Sequence, residues 1–381
     1  TSLVADAVGR LLGSEPMGTG LVGRSHVLVH ARSLAADRTG VLFVGEPGVG
    51  KTRLLAEVLD LLEADGWHTE RFVASTAART VPFGALISLL PRGATDRTQQ
   101  IAGVRRTLVE RADRRPTALS VDDAHLLDDA SLACLVDLAH HSDVVVLGSA
   151  RSTEPLPSDL TALWASEALD RIDVEPLQPT DATELASQLL GDPVTDELAT
   201  QLWDRTRGIP LFVRELLLDA ASQDVLSLES GAWSLHRDLR PGARLNEIVR
   251  ARTDALSTPA QGLLELLAIA EPVAMDLLTV EEGVELDVLE QGRLARVEQL
   301  GGRWVATVDH PLITEAIAAA IPTRRRLDLV RAIAHRTVEA GCPAPGDALR
   351  AAAWFEECGD PLPAAAALAA GREALTSLDL D

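Results

Sequence analysis

The chain has 381 residues, with 57 acidic and 35 basic side chains, a formal net charge of −22, and 46% hydrophobic and 24% charged residues. This is a globular composition with apolar mass for two or three cores, and its acidity excludes a nucleic-acid clamp built on these residues, because such a surface needs a basic stripe to displace counterions. The sequence has no run of 18 apolar residues and no opening signal-peptide pattern, and Cys134, Cys342 and Cys358 lack both metal-ligand spacing and disulfide density. A cytoplasmic protein with free thiols and no membrane partner is predicted.

In chain order, residues 1–19 read as an N-terminal segment ahead of the first domain, 20–177. Here short β-rich runs alternate with helical patterns: VLFVG (41–45), HTERFVA (68–74), TALSVDD (117–123), DVVVLGSA (143–150) and RIDVEPL (171–177). Apolar runs of that length between helices predict a parallel sheet covered on both faces. Beyond Pro179 the period turns helical, with Thr180 or Asp181 as N-cap and a second helix ending at Arg207-Gly208. Residues 178–240 thus read as a small helical unit closed by a turn-rich connection, Gln223 to Gly242. Residues 241–322 hold two helices, about 245–256 and 259–270. Then ARVEQL and RWVATV flank Gly301-Gly302, a hairpin signal that suggests a winged-helix domain. From 323 to 381 the pattern is helical with alanine at close-packing positions, as in the first pair of an α-solenoid. The absent initiator methionine and the ending within a helical pattern suggest a piece of something longer.

Of the 35 basic residues, 34 are arginine, and the single lysine is Lys51. It lies in Gly45-Glu46-Pro47-Gly48-Val49-Gly50-Lys51-Thr52, which fits G-x-x-x-x-G-K-[ST] between a β-run and an amphipathic helix that continues with Arg53. Glycines let the backbone bring successive N–H groups to phosphate oxygens, and the following helix adds its N-terminal dipole. A compact ammonium on a flexible stem reaches between β- and γ-phosphates, where a planar guanidinium is too wide for the turn. Thr52 is placed to hold Mg²⁺ with Asp122, which ends the apolar run 118–122. Asp123 would orient or deprotonate the attacking water; the alternative for the pair is a helix N-cap, the role also expected of Asp128 and Asp129. Aspartate is one methylene shorter than glutamate, so slow hydrolysis is expected. At the end of the next β-run, Arg151 reads either as a γ-phosphate sensor or as a surface-loop arginine.

These segments together, LVGRS (21–25), GEPGVGKTRLLAE (45–57), VPFGAL (81–86), SVDDAHLLDDASL (120–132), SARS (149–152), RTRGIPLFVRELL (205–217) and VDHPLITEAI (308–317), resemble the STAND branch of the AAA+ ATPases, and in particular the ATPase module of large actinobacterial LuxR-type transcriptional regulators. The resemblance covers about residues 20–370. It implies an α/β P-loop NTPase of the ASCE type, followed by a helical lid, a winged-helix domain and the start of TPR-like helical repeats. It also implies that Gly23 and Arg24 sit beside adenine and ribose, with Val27 where the family has an acidic residue, and that Pro210 packs on the base. His310 would align with a histidine that contacts the ADP β-phosphate. Locally, Pro210 also reads as a helix stop, and His310-Pro311 as a helix start.

The function so implied is a switch that binds ATP/ADP and Mg²⁺ and hydrolyses ATP slowly. ADP holds it closed, and ATP opens it for self-association under an unknown inducer at the helical repeats. DNA would be contacted only through a region outside this chain. The alternatives are a working AAA+ loader or remodeller, expected to show a lid arginine that this sequence does not clearly offer, and the same module with a cyclase or kinase output.

Overall fold

The structure, a computed structural model, describes residues 9, 21–91, 96–140, 144–300 and 302–378. The predicted N-terminal segment 1–19 therefore lies, apart from Gly9, outside the described residues. The chain divides into two compact units: residues up to 203 with 207–217 and 226–235, and residues 204–206, 218–225 and 236–381. The segment 178–240, read from the sequence as a region of its own, is shared between them.

The first unit is built on five parallel strands: β1 (Gly40–Gly45), β2 (His68–Val73), β3 (Thr117–Asp122), β4 (Val144–Arg151) and β5 (Leu169–Val174). Their order is β2-β3-β4-β1-β5, so β4 lies between β1 and β3. Alternation along the strands feeds two cores. Val41 and Phe43 with Val145 and Leu147 pack towards helices α1 (Ser25–Ala36) and α2 (Lys51–Ala64). Leu42 and Val44 with Leu119, Val121, Val144 and Val146 pack towards α3 (Arg97–Ala112), α4 (Asp129–Ala139) and α5 (Ser158–Ala165). Both faces are apolar, as a covered parallel sheet requires.

Past the sheet come α6 (Pro179–Leu190), α7 (Asp196–Thr206) and α8 (Pro210–Ser222). Helix α6 starts earlier than its predicted cap at Thr180 or Asp181, because Pro179 occupies the first turn, where its missing N–H costs nothing. Arg207, at φ 48°, ends α7. The turn-rich stretch 223–242 contains an unpredicted hairpin, β6 (Leu226–Glu229) paired with β7 (Ala232–Leu235) through Ser230 and Gly231, both at positive φ. Four-residue strands interrupted by serine and glutamate give too little alternation to announce themselves, although two left-handed residues are what a tight hairpin demands.

The second unit contains α9 (Ala243–Thr253), α10 (Thr258–Ala270), the short β8 (Val273–Ala274), α11 (Val280–Gln291), β9 (Ala295–Leu300), β10 (Arg303–Val308) and α12 (Pro311–Ala320). Strands β9 and β10 pair antiparallel with Leu300 opposite Arg303, as the predicted hairpin requires, and β8 completes the order β8-β10-β9. Helices α13 (Thr323–Glu339), α14 (Asp347–Cys358) and α15 (Ala364–Leu378) follow, each packed on the next. Among the described residues, no helix is long and apolar enough to cross a membrane.

Candidate nucleotide site

Strand β1 runs out at Gly45, and the chain loops back to start α2 at Lys51. Gly48, at φ 83°, and Gly50, at φ 102°, take left-handed conformations that cost other residues about 1–2 kcal/mol each. The Lys51 ammonium is buried and donates to the loop's own carbonyls, at 3.0 Å to Gly45 and 2.8 Å to Glu46. Burial lowers its pKa, opposed by Asp123, Asp122 and Glu46, while Arg151 adds to the lowering. A phosphate arriving here would meet a cation already desolvated and held over the turn.

Next to the loop, the Thr52 hydroxyl donates to the Asp122 carboxylate at 2.8 Å. The other Asp122 oxygen accepts from the Ser149 hydroxyl on β4, and that hydroxyl in turn accepts the Asp123 N–H at 3.0 Å. The strand order makes this possible by seating β4 between the two strands that carry the loop and the carboxylate. Asp123 does not continue β3 on its opposite face. The strand stops at Asp122, and Asp123 turns at φ 54° into a short 3₁₀ turn, Ala124–Leu126. Its carboxylate lies 3.8 Å from the Arg151 guanidinium, which ends β4. Asp128 caps α4, accepting from Ala130 N and Ser131 N at 3.0 Å each, and it also accepts the backbone N–H groups of Phe83, at 2.9 Å, and Gly84, at 3.1 Å.

Lys51, Thr52, Asp123 and Arg151 border a cavity of about 770 Å³, whereas Asp122, Ser149 and Asp128 are not part of its lining. Pro47 to Leu54, including Gly48, Val49, Gly50, Lys51, Thr52 and Arg53, form one side, with Asp123 and Arg151 at one end. Arg24 and Pro210 also line it. Arg24 is buried with its guanidinium donating to the Glu175 carbonyl; burial lowers its pKa against the pull of Asp181 and Glu175. Gly23 packs on Asp181, so closely that a Cβ there would fall 2.4 Å from its carboxylate. Pro210 opens α8, and the next N–H, of Leu211, donates to the Gly48 carbonyl at 3.2 Å. The local reading of Pro210 as a helix stop therefore gives way to a helix start facing the cavity.

Sequence reasoning missed the apolar wall, Leu177, Leu185 and Leu189, and the cation Arg214 of α8. Leu185 and Leu189 had a signal. They are leucines four apart on α6 that widen, along one edge, the apolar stripe of Ala182, Ala186 and Leu190. Arg214, 3.0 Å from Glu215, supplies the arginine from the helical segment that the sequence did not make evident.

His310 lies in the second unit, buried at the N-cap of α12. Its Nδ1 accepts the Leu312 N–H at 3.2 Å, so Nε2 carries the proton and donates to the Thr206 carbonyl at 3.0 Å. This is the helix-start role that the local sequence offered.

Among the described residues, no cluster of three or more His, Cys, Asp or Glu side chains could hold a metal ion by itself. The Thr52–Asp122 pair instead suits Mg²⁺ that arrives with phosphates, since this ion keeps waters and takes few protein ligands. The looped backbone, the buried ammonium and that pair fit a nucleoside phosphate with its metal.

Residues 21–147 match the family model described as AAA ATPase domain. The Walker-type ATPase PABY2304 of Pyrococcus abyssi aligns with a TM-score of 0.52 at 11% identity, covering 81% of this chain and 99% of that one. The Orc1 protein of Aeropyrum pernix, solved in complex with DNA, aligns with a TM-score of 0.45 at 14% identity over 82% of this chain and 96% of that one. Cdc6p from Pyrobaculum aerophilum gives 0.44 at 14% identity over 82% and 98%. The sequence finds no significant match among curated proteins. Residues 21–147 are thus similar to an AAA ATPase domain and the fold is that of an α/β P-loop NTPase; nucleotide binding is what that similarity implies.

Proposed function

We propose that this chain is the nucleotide switch of a cytoplasmic, STAND-class, LuxR-type transcriptional regulator. In this reading α6 to α8 are the lid, residues 241–322 the winged-helix domain, and 323–381 the first TPR-like repeats, where an inducer binds. The observation that carries it is the bond from His310 to the Thr206 carbonyl. Thr206 is the last residue of α7 and belongs with His310 to the second unit, four positions along the chain before Pro210. The Arg205–Glu315 ion pair reinforces that bond. His310 then senses the nucleotide through lid backbone or, if the Thr206 bond is given up, by contacting the ADP β-phosphate directly.

When bound, Mg-ATP supplies a phosphoryl group whose transfer to water the site promotes slowly. Lys51 and the loop N–H groups hold the phosphates, Thr52 and Asp122 hold the metal, Asp123 orients water and Arg151 reads the terminal phosphate. Gly23, Arg24 and Pro210 bound the base and ribose. ADP keeps lid and winged helix closed; ATP opens them for self-association, and DNA is reached through a region outside these residues.

Arg214 favours a second reading, because a lid arginine at the nucleotide is suited to a turnover machine such as a loader. The nucleotide that copurifies with the protein decides between them. Tightly held ADP, absent from Lys51→Ala, supports the switch, whereas an empty protein with rapid steady-state turnover supports the machine.

A further inference from the structure

His125 is the second residue of the 3₁₀ turn that follows Asp123, and the proposed function gives it no task. Its side chain is only 2% exposed, yet among the described residues the buried Nδ1 has no hydrogen-bond partner. Leaving a buried ring nitrogen unpaired is costly, so such an atom in a site asks for an explanation. Oδ1 of Asp123 lies 4.0 Å from this Nδ1, and the same oxygen lies 3.8 Å from Nε of Arg151. The Asp123 backbone is pinned on both sides, with N–H on the Ser149 hydroxyl at 3.0 Å and C=O on the Leu126 N–H at 2.8 Å. Only its carboxylate is left to turn, and that carboxylate borders the cavity.

We propose that His125 is a positioning residue for Asp123: its Nδ1–H takes Oδ1 of the Asp123 carboxylate and aims the other oxygen into the nucleotide cavity, in competition with Arg151. This rests on the reading of Asp123 as the group that orients water. Both donors stand just outside hydrogen-bond distance of one oxygen. If Arg151 turns to a phosphate, the ion pair is released, and a small rotation of Asp123 closes the gap to His125. The carboxylate then keeps a defined direction after losing its cation. Burial, which depresses the His125 pKa against the pull of Asp123, with Arg151 acting in the same direction as burial, keeps the ring neutral. A neutral ring has one N–H to give, and among the described residues no hydrogen bond engages Nδ1.

The test uses the full chain with ¹⁵N-labelled histidine. Asp123→Asn should move the His125 ring-nitrogen resonances, and a non-hydrolysable ATP analogue should move them in the wild type but not in Asp123→Asn. His125→Ala should lower kcat roughly 10- to 100-fold with KM for ATP unchanged, as a misaimed group does. His125→Asn, which keeps an amide N–H near the Nδ1 position, should recover much of that loss, and His125→Ala should cost nothing further in Asp123→Asn. Ring resonances indifferent to Asp123→Asn would overturn the proposal. So would an equal loss from His125→Ala with and without the carboxylate. A wild type that binds ATP without turnover would instead overturn the water-orienting role of Asp123, while the resonances still decide whether the two side chains are paired.

Discussion

The Leu211 N–H donates to the carbonyl of Gly48 across 163 positions of sequence, tying the first turn of α8 to the crown of the phosphate loop at 3.2 Å. A Cβ at Gly48 would sit 2.9 Å from Cβ of Leu211, at a φ of 83° that side chains rarely adopt. Gly48→Ala is therefore expected to strain the loop by about 1–2 kcal/mol and to push α8 away from it. Nucleotide affinity by calorimetry should fall about tenfold or more, with the far-ultraviolet spectrum unchanged. Affinity equal to the wild type would show that loop and helix are not coupled.

Lys51→Arg should lose nucleotide binding as completely as Lys51→Ala. The ammonium is buried against two loop carbonyls at 3.0 and 2.8 Å, a space that a planar guanidinium cannot enter without opening the turn. Wild-type ATP affinity in the arginine variant would sink this account.

Asp122→Asn and Asp123→Asn should separate metal from chemistry. Asp122 bonds Thr52 and Ser149, so its neutral variant should weaken ATP binding about tenfold or more in Mg²⁺ and little in EDTA. Asp123→Asn should keep Mg-ATP affinity and lose most, but not all, of its turnover. Titrations with and without the ion, beside a phosphate-release assay, distinguish the two.

Asp128 supports the fold, and its effect should depend on pH. Burial raises its pKa, but hydrogen bonds from the Ser131 hydroxyl and from the N–H groups of Ser131, Phe83 and Ala130 outweigh that and leave it below the ordinary aspartate value. A carboxylate lowered in the folded state stabilises it fully above the unfolded pKa and loses that stabilisation as pH falls through the folded value. Asp128→Ala should cost about 2–4 kcal/mol at neutral pH, with the difference from wild type shrinking as the medium is acidified below the normal aspartate range. Urea unfolding at several pH values measures it; a difference independent of pH would contradict the assignment.

His310→Ala removes the cap of α12 and the donor to Thr206, a loss of about 1–3 kcal/mol in melting experiments. If the histidine also reports on nucleotide, a fluorescent ADP analogue should leave the variant faster. An unchanged off-rate with a lowered Tm would confine His310 to its structural bonds.

Much of the first unit could be read in advance, because its information is local. Apolar runs separated by helices mark β1 to β5 within a few residues, and the phosphate loop is a contiguous motif whose lone lysine stands out. What escaped depends on distant chain coming together. Ser149 gains meaning only once β4 lies beside β3, and Arg214 only once α8 reaches the loop. The β-rich run read over 117–123 extends one residue past the strand, because Asp123 enters a left-handed turn. The β6–β7 hairpin was overlooked because four-residue strands carry almost no period.

Asp122 is fastened by Thr52 and by Ser149 on an inner strand of the sheet, the least deformable part of the domain. Lys51 and Arg24 are buried and held by carbonyls, but Arg53, Arg151 and Arg214 reach the cavity on half-exposed, long stems. The site thus sets movable arginines beside an anionic fixed point. An ATP-to-ADP difference would register as a redistribution of arginines around a stationary carboxylate, and the protein would discriminate the two nucleotides by rearranging side chains without reshaping its sheet.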